Sequence, residues 1–321
     1  MSDGNGAPAI ELEHVVKKFG DFTAVRDLDL SIPEGSTYAL LGPNGAGKTT
    51  TIRMVLRIIE ETTGNVRVFG QPVTEATLDR IGYLPEERGV YKRMTVRRLL
   101  AFMAEMKGVS NRVSMPRIEQ WLERLDLGQW IDAKVQELSK GMQQKLQFIS
   151  SVLHDPPIVI LDEPFSGLDP LNQQVLRGIV ADLQDMGKTV LFSTHIIEHA
   201  ERICDHVCII AHGEKVVDGP LSQVRHEHGG HYVAIGLEPG ATNDAAIRAS
   251  RQVGGVRQDG TEFEVTLRDG ADSSALLREL VEGGVRLRRF EVVEPSLEQV
   301  FIDKVGRPEE LGMDELGAAH V

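Results

Sequence analysis

Cysteine is nearly absent from the sequence, which contains Cys204 and Cys208 among its 321 residues. Two cysteines cannot build the disulfide framework of a small secreted domain, and their scarcity indicates a reducing compartment. Because His206 lies between them, the three side chains could be taken for metal ligands, but a structural zinc site needs four. They also lie in a short apolar run, where buried reduced thiols are common. We therefore interpret both cysteines as buried thiols, with a metal site as the less favoured alternative.

Long apolar runs and an excess of basic residues are absent as well. No apolar stretch reaches the roughly 20 residues that span a bilayer. Residues 1–8 are polar and lack the basic and apolar segments of a secretory signal. We therefore expect a cytosolic chain that does not itself cross the membrane. The 35 lysines and arginines against 48 aspartates and glutamates give a net charge of −13, which argues against a surface devoted to nucleic acid.

The most informative stretch is Gly-Pro-Asn-Gly-Ala-Gly-Lys-Thr-Thr at 42–50, which matches the phosphate-loop pattern GxxxxGK[ST]. An apolar run at 37–41 precedes it and a helix-like segment at 52–59 follows, which is the context that the motif requires. Its glycines let the backbone curl so that N–H groups face an anion, and the helix dipole adds to the attraction. A glycine-rich turn without a ligand is the alternative, but the full motif and its flanks favour a nucleoside triphosphate site. The residues expected to contact the nucleotide are Gly42, Pro43, Asn44, Gly45, Ala46, Gly47, Lys48, Thr49 and Thr50.

Two carboxylates and a histidine follow apolar runs further along the chain. Asp162 and Glu163 come directly after the run at 158–161, which is typical of a parallel strand buried on both faces, and His195 follows the next strand. With Thr49, Asp162 can hold Mg²⁺ as a Walker-B aspartate does, and Lys48 can reach the β- and γ-phosphates. Glu163 can polarise the attacking water as a general base. Each residue type caps strands routinely, so the prediction that Glu163, His195 and Lys48 are catalytic depends on their combination and order.

The remaining pattern predicts an α/β P-loop NTPase core. Strands are predicted at 10–16, 24–32, 66–69 and 81–84, with an antiparallel β subdomain leading into the phosphate loop. Thr63 and Gly64 are expected to end the first helix. Apolar residues at helical spacing predict a helical subdomain at about 86–154, in which Thr95 and Ser139 open helices. Strands and helices then alternate up to residue 211, which implies a parallel sheet with helices on its faces.

The last third of the chain predicts a second domain. Gly219, Pro220 and further glycines up to residue 230 indicate a boundary. Beyond it the predicted elements run strand, helix, strand, strand, helix, strand, which is the order of a small α+β ferredoxin-like domain, and a final helix follows at 296–305. We predict an ATP-binding domain at 8–225, an accessory domain at 231–305 and a polar tail at 306–321.

Over roughly residues 10–225 these motifs resemble the ATP-binding subunit of an ABC transporter. The most specific element is Leu-Ser-Lys-Gly-Met-Gln-Gln-Lys at 138–145, which is similar to the signature motif of that family. Ser139 and Gly141 place a hydroxyl and N–H groups at a helix N-terminus, which makes a second anion site. Asp169 ends Ser-Gly-Leu-Asp at 166–169, which resembles the loop that lines the dimer interface. Phe19 matches the aromatic residue that stacks on adenine.

This resemblance implies a dimer in which Ser139 and Gly141 of one chain contact the γ-phosphate held by the other. Two chains would close around two ATP molecules with Mg²⁺. The resemblance also implies a separate transmembrane permease, with the subunit lying against it on the inner face of the cell membrane, and no nucleic acid partner. The C-terminal region, with Glu-Pro-Ser-Leu-Glu-Gln-Val-Phe at 294–301, is similar to the appendix of bacterial NatA-like and antibiotic-efflux ATPases, which favours an exporter.

Two positions depart from the family pattern. Lys140 and Met142 replace the glycine and glutamine of the commonest signature, while the serine and glycine beside them remain. Glu86 stands where the family usually has a glutamine that ligates Mg²⁺ and senses the permease. A carboxylate keeps the oxygen ligand, but it cannot donate a hydrogen bond when ionised. Its charge beside a triphosphate has to be offset by Mg²⁺ or by a cation such as Arg88.

Two other functions remain compatible with the sequence. A soluble ABC-type motor could act on nucleic acid or ribosomes, although such proteins carry inserted coiled coils, zinc sites or a second cassette, which this sequence lacks. A non-hydrolysing regulatory module is the other, and the presence of Glu163 and His195 argues against it. Identical and non-identical pairs of chains both fit the predicted dimer.

Overall fold

The structure, a computed structural model, describes residues 7–86, 89, 91, 93–227, 232–238, 244–268 and 270–306. Within these residues the chain divides into two compact units, with a break between Pro220 and Leu221. None of the helices that the structure describes is both long enough and apolar enough to cross a bilayer.

The first unit contains the phosphate loop and the strands and helices around it. Its strands are β1 (Ile10–Phe19), β2 (Phe22–Ile32), β3 (Thr37–Leu41), β4 (Thr63–Val68), β5 (Gln71–Pro72), β6 (Ile81–Leu84), β7 (Ile158–Leu161), β8 (Thr189–Thr194), β9 (His206–Ala211) and β10 (Glu214–Pro220). Its helices are α1 (Lys48–Val55), α2 (Glu75–Leu78), α3 (Val96–Met106), α4 (Asn111–Arg124), α5 (Lys140–Val152), α6 (Pro170–Asp185) and α7 (Ile197–Ile203), with 3₁₀ turns at Gly128–Trp130 and Val135–Glu137.

An antiparallel sheet with the order β2-β1-β4-β5 precedes and flanks the phosphate loop. Ile10 on β1 pairs with Ile32 on one side and with Val68 on the other. These three side chains are fully buried and pack with residues of α1 in one hydrophobic core. The sheet therefore fixes the start of β3 and, through it, the position of the loop.

A second sheet carries the site and has the order β10-β9-β3-β8-β7-β6. The strands from β9 to β6 are parallel, as the alternation of strands and helices predicts, and β10 is antiparallel to β9. Leu161 on β7 lies beside Phe192 on β8, and Leu41 on β3 lies beside Thr194 on β8. Because these strands run in one direction, the residues that follow their carboxyl ends meet at the same edge of the sheet.

Helices α3, α4 and α5 lie between β6 and β7 in the chain. The Thr95 hydroxyl accepts a hydrogen bond from the backbone N–H of Arg98, and the Ser139 hydroxyl accepts one from the N–H of Met142. Both are N-cap hydrogen bonds, so the predicted starts of these two helices are confirmed.

The predicted end of the first helix is wrong. Helix α1 stops at Val55, and Thr63 and Gly64 begin β4 instead of ending the helix. Arg57 has a positive φ of 52°, a left-handed conformation that stops a helix. Gly64 has a φ of 100°, and a Cβ there would lie 2.5 Å from the carbonyl oxygen of His14 on β1. The glycine is thus needed for strand pairing. Strand β10 was not predicted.

The elements after the break form an antiparallel sheet covered by helices. They are α8 (Leu221–Glu227), β11 (Tyr232–Leu237), α9 (Asp244–Ala249), β12 (Val253–Asp259), β13 (Glu262–Leu267), α10 (Ser273–Glu282), β14 (Leu287–Val292) and α11 (Leu297–Val305). The sheet order is β12-β13-β11-β14, with every pair of neighbours antiparallel. Ile235, Val265 and Leu276 lie in its core and are fully buried. The predicted succession of strands and helices is confirmed, whereas residue 231 and the tail beyond 306 lie outside the described residues.

The two cysteines are buried thiols. Burial raises the pKa of the Cys208 thiol well above its usual value, which opposes the thiolate that a metal would need. Among the described residues, neither cysteine belongs to a group of three potential metal ligands. The interpretation as buried thiols is confirmed.

Candidate nucleotide-binding site

The phosphate loop connects the end of β3 to the first residue of α1, which is Lys48. A Cβ at Gly42 would overlap the carbonyl oxygen of Ile210 on β9, so this glycine allows the loop to leave the sheet. Gly47 has a φ of 108°, and a Cβ there would lie 2.7 Å from the carbonyl oxygen of Ala24. These glycines are therefore required by the packing of the chain itself as well as by the curl of the loop.

Lys48 is buried, and its ammonium is held by three oxygen atoms. Nζ donates to the carbonyl oxygens of Gly42 (2.8 Å) and Pro43 (3.2 Å) and lies 3.5 Å from Oε1 of Glu163. Burial lowers the pKa of Lys48, while the nearby carboxylate of Glu163 opposes the shift. The predicted phosphate ligand thus lies at the bottom of the loop with its charge directed across the cleft.

Asp162 follows β7 and lies against the start of α1. Its Oδ1 accepts hydrogen bonds from Ser193 Oγ (2.6 Å) and Thr49 Oγ1 (3.1 Å). Its Oδ2 is buried and has no hydrogen-bond partner among the described residues. Burial raises the pKa of Asp162, although the two hydroxyl donors oppose the shift. A buried carboxylate oxygen without a partner is costly, and a bound cation would satisfy it.

Glu163 stands between Lys48 and His195. Its Oε2 lies 3.0 Å from Nδ1 of His195, and its backbone N–H donates to Ser193 Oγ at 2.9 Å. Its Oε1 is buried and makes no hydrogen bond within the described part of the chain, although it is within ion-pair distance of Lys48. The backbone of Glu163 is left-handed, with a φ of 46°, which a residue with a side chain rarely adopts.

A cleft of about 400 Å³ opens over these residues. It is lined by Phe19, Phe22, Ala24, Asn44, Gly45, Ala46, Gly47, Lys48, Thr49, Thr50, Glu86 and Glu163. The structure therefore brings together the predicted loop residues, Phe19, Glu86 and Glu163, with Asp162 and His195 directly behind them.

Glu86 lies at the rim of this cleft. Partial burial and the charges of Asp162 and Glu163 raise the pKa of Glu86, while Lys48 and Arg53 oppose the shift. Arg88, the cation proposed to offset this carboxylate, lies outside the described residues. Among the described residues, Lys48 and Arg53 are the cations whose charges oppose that of Glu86.

Two exposed phenylalanines form part of the cleft wall. Phe19 and Phe22 end β1 and begin β2, pair across the hairpin, and are 50% and 63% exposed. The ammonium of Lys17 lies 4.9 Å from the centroid of the Phe19 ring. Large aromatic rings are rarely left this open to water unless a ligand or a partner covers them.

Ser139, Gly141 and Asp169 are not part of this cleft in a single chain. Ser139 and Asp169 are the N-caps of α5 and α6. A Cβ at Gly141 would lie 3.6 Å from Nδ2 of Asn172, which donates to Asp169, so these residues form a second cluster. The hydrogen bonds from Asn172 lower the pKa of Asp169.

Three residues of the site were missed by the sequence interpretation: Ser193, Phe22 and Ala24, which lines the cleft. Ser193 bridges the carboxylate of Asp162 and the backbone of Glu163, and its signal was a hydroxyl at the end of an otherwise apolar strand. Phe22 lines the cleft beside Phe19, and its signal was a second aromatic residue three positions along.

A strand, phosphate loop and helix, with two carboxylates directly after another parallel strand of the same sheet, define a P-loop ATPase. Residues 25–166 match the family model described as "ABC transporter", and residues 219–305 match "ATP-binding protein DrrA1-3-like, C-terminal domain".

Known proteins resemble the chain over nearly its full length. The uncharacterized ABC transporter ATP-binding protein YhaQ of Bacillus subtilis (strain 168) is 42% identical over 302 residues, which cover 92% of this chain and 98% of the relative. The daunorubicin/doxorubicin resistance ATP-binding protein DrrA of Streptomyces peucetius is 31% identical over 307 residues, or 94% and 93% of the two chains. A solved structure titled "Structure of ATP binding subunit of ABC transporter" is 30% identical with a TM-score of 0.64, and the match covers 68% of this chain and 92% of that one.

The chain therefore belongs to the ABC transporter ATP-binding proteins. The predicted identity as an ATP-binding, ATP-hydrolysing subunit of such a transporter is confirmed, and with it the ABC ATPase core.

Proposed function

We propose that two ATP-binding chains close face to face around two ATP molecules and that hydrolysis drives a separate membrane permease, which exports its substrate. The observation that carries this proposal is the arrangement of Asp162 and Glu163. They lie at the carboxyl end of β7, against Thr49 and Lys48, and each keeps one buried oxygen that no described residue hydrogen-bonds.

The residues around Asp162 suit a magnesium ion. Mg²⁺ prefers oxygen ligands, and Thr49, Asp162 and Glu86 offer a hydroxyl and two carboxylates on one side of the cleft. Bound there with ATP, the ion would neutralise charge on the phosphates. Asp162 is held for this role by Ser193, whose hydroxyl fixes Oδ1 and leaves Oδ2 as the free ligand.

Glu163 and His195 carry the hydrolysis itself. Glu163 accepts a proton from the water that attacks the γ-phosphorus, and the bond from that phosphorus to ADP breaks. His195 contacts the γ-phosphate and orients the Glu163 carboxylate through the 3.0 Å contact between Nδ1 and Oε2. Lys48 and the loop N–H groups, from 42 to 50, hold the phosphates, and Phe19 stacks on adenine.

The second cluster completes the site of the partner chain. Ser139 and Gly141 lie at the N-terminus of a 13-residue helix, where exposed N–H groups and the helix dipole attract an anion. Gly141 has room for a Cβ within its own chain, so the contacts of this chain do not require a glycine. Close approach of the partner's triphosphate would require one. Asp169 lines the same interface.

An exposed aromatic patch supports docking on a permease. Tyr91 and Phe102 pack edge to face at 5.9 Å; Tyr91 and Met106 are largely exposed, and Phe102 is partly exposed. These residues follow Glu86 in the chain, so a partner bound here could sense the cleft through Glu86. Docked in this way, the subunit lies on the cytoplasmic face of the cell membrane without crossing it.

The C-terminal elements form a ferredoxin-like accessory domain. The sheet order β12-β13-β11-β14, with all neighbours antiparallel, supports this assignment, because it is the order that a βαββαβ unit produces. We keep the domain limits at 8–225 and 231–305, with a helical subdomain at about 86–154. This domain stabilises the dimer or its contact with the permease.

Export is favoured over action on nucleic acid. The C-terminal match is to a DrrA-like domain, and the relative named for drug resistance is similar over both domains. The net charge of −13 also disfavours a nucleic-acid partner. Co-purification under native conditions tests this choice: a membrane protein that stimulates the ATPase supports export, whereas ribosomes or DNA in its place would contradict it.

A further inference from the structure

One buried histidine has no part in the chemistry proposed above. His199 lies on α7, which begins two residues after His195, and its side chain is only 1% exposed. Its Nε2 lies 3.3 Å from Oε1 of Gln173 on α6. Its Nδ1 is buried and finds no hydrogen-bond partner in the residues that the structure describes. Burying a polar nitrogen without a hydrogen bond costs free energy. We therefore expect His199 to have a role other than filling space.

The partner of His199 determines which nitrogen carries the proton. Gln173 uses its amide nitrogen to donate to the carbonyl oxygen of Leu168, at 3.1 Å. Its Oε1 is therefore the acceptor for His199, so Nε2 of the ring carries the hydrogen and Nδ1 keeps a lone pair. The two hydrogen bonds form a relay from α7 through α6 to Leu168.

Leu168 belongs to the loop at 164–169, which runs from Glu163 to the cap of α6. The relay therefore reaches the loop near Asp169. The ring of His199 also lies 4.5 Å, centroid to centroid, from that of Phe165 at the other end of the loop. His199 thus contacts one end of the loop directly and the other end through Gln173.

The surroundings keep this ring neutral. Burial lowers the pKa of His199 to about 4, and the charge of Arg177 adds to the shift. A protonated ring would need an acceptor at Nδ1, and the structure places none there. The neutral ring is the form that the relay requires.

We infer that His199 is a positioning residue for ATP hydrolysis: through Gln173 it fixes the 164–169 loop relative to His195. A single short helix then sets both the histidine beside Glu163 and the loop that presents Asp169 to the partner chain. This inference rests on the proposed two-chain site, because the loop affects hydrolysis only where it meets Glu163 and the partner.

Two substitutions of His199 distinguish the effect of its hydrogen bond to Gln173 from the effect of its packing against Phe165. His199→Phe keeps a ring against Phe165 but removes the donor. His199→Gln loses the ring but keeps an N–H at a similar reach. In the full-length chain, assayed with its permease, His199→Phe should lower kcat about tenfold, the scale of one lost hydrogen bond, with KM for ATP unchanged. His199→Gln should retain most of kcat.

Gln173→Met cuts the same relay and leaves His199 in place. It should lower kcat as much as His199→Phe, and the double variant should be no slower than either single one. If His199→Phe fails to fold, the kcat of Gln173→Met alone tests the inference. Normal kcat in Gln173→Met, or an equal loss in His199→Gln and His199→Phe, would overturn the inference while leaving the proposed function intact. A wild-type complex without ATPase activity would overturn both.

Discussion

Glu163 and Lys48 form a buried ion pair across the mouth of the phosphate loop, with 3.5 Å between Oε1 and Nζ. The lysine also donates to the carbonyl oxygens of Gly42 and Pro43, so its ammonium is surrounded by protein oxygens. An incoming phosphate has to replace these contacts. In the proposed mechanism, replacing them also releases Glu163, which would link binding of the triphosphate to activation of the base.

Glu163→Gln should retain ATP binding, because it removes an anion that competes with phosphate for Lys48. Hydrolysis should fall by about 10²-fold or more, the scale of a lost general base. The trapped nucleotide should hold two chains together, which size-exclusion chromatography with ATP can measure.

A matched control is Glu198→Gln on α7, where the carboxylate pairs with Arg202 away from the cleft. This variant should hydrolyse ATP normally. A Glu163→Gln chain that keeps its turnover rate would remove Glu163 from the role of base.

Ser139→Arg should abolish hydrolysis without impairing ATP binding in the same chain, because in the proposed dimer Ser139 contacts the nucleotide held by the partner. Wild-type turnover should also rise more than linearly with protein concentration at low concentration. Ser110→Arg, at the N-cap of α4, changes a comparable exposed serine and should have no effect. Activity proportional to concentration down to a monomer would contradict the shared site.

Glu86→Gln should preserve much of the ATPase activity, because the amide keeps the oxygen ligand at the rim of the cleft. Glu86→Ala should leave ATP affinity nearly unchanged and reduce turnover coupled to transport. The measurement is ATPase activity of the reconstituted complex for the three chains. If Glu86→Ala matches the native chain there, Glu86 is a surface residue without a role in coupling.

A chain that ends after Glu227 should fold and bind ATP, because the strands that carry the site are complete at Pro220. It should dimerise or couple to the permease less well. Circular dichroism and ATP titration check the two halves of this prediction. A folded fragment without ATP binding would show that the accessory domain contributes to the site.

Acid should destabilise the native chain partly through His199. Burial lowers its pKa from 6.5 to about 4, so between these values the unfolded chain binds a proton that the folded chain does not. The free energy of unfolding therefore falls as the pH drops through this window. The charged groups around the ring are Arg177, Glu163, His195 and Arg202.

His199→Gln lacks this titration and should lose less stability than the native chain between about pH 7 and pH 5. Urea unfolding at several pH values measures the difference. Parallel losses in the two proteins would show that His199 is not the buried neutral group.

The phosphate loop and the two carboxylates could be predicted because their signals are local. Nine consecutive residues define the loop, and Asp162 and Glu163 directly follow an apolar strand. Ser193 and Phe22 were missed because their roles arise only when separate strands pair. The end of α1 was missed because apolar spacing continues to Ile59, while a left-handed turn at Arg57 stops the helix earlier.

The cluster of Ser139, Gly141 and Asp169 shows a second reason why part of the site could not be predicted from the sequence. Ser139 and Gly141 were found from a motif, yet within one chain they face neither the phosphate loop nor the carboxylates. Their expected ligand belongs to another molecule, so no pattern within a single chain fixes the geometry.

The backbone of Glu163 is left-handed, so the residue that suits this conformation best is not the residue that the proposed hydrolysis requires. Glycine adopts such a φ without strain, whereas a glutamate there is disfavoured. Glycine would also remove the buried carboxylate oxygen that lacks a hydrogen-bond partner. Directed evolution for thermal stability alone would therefore favour replacing a residue that the proposed mechanism requires as its general base.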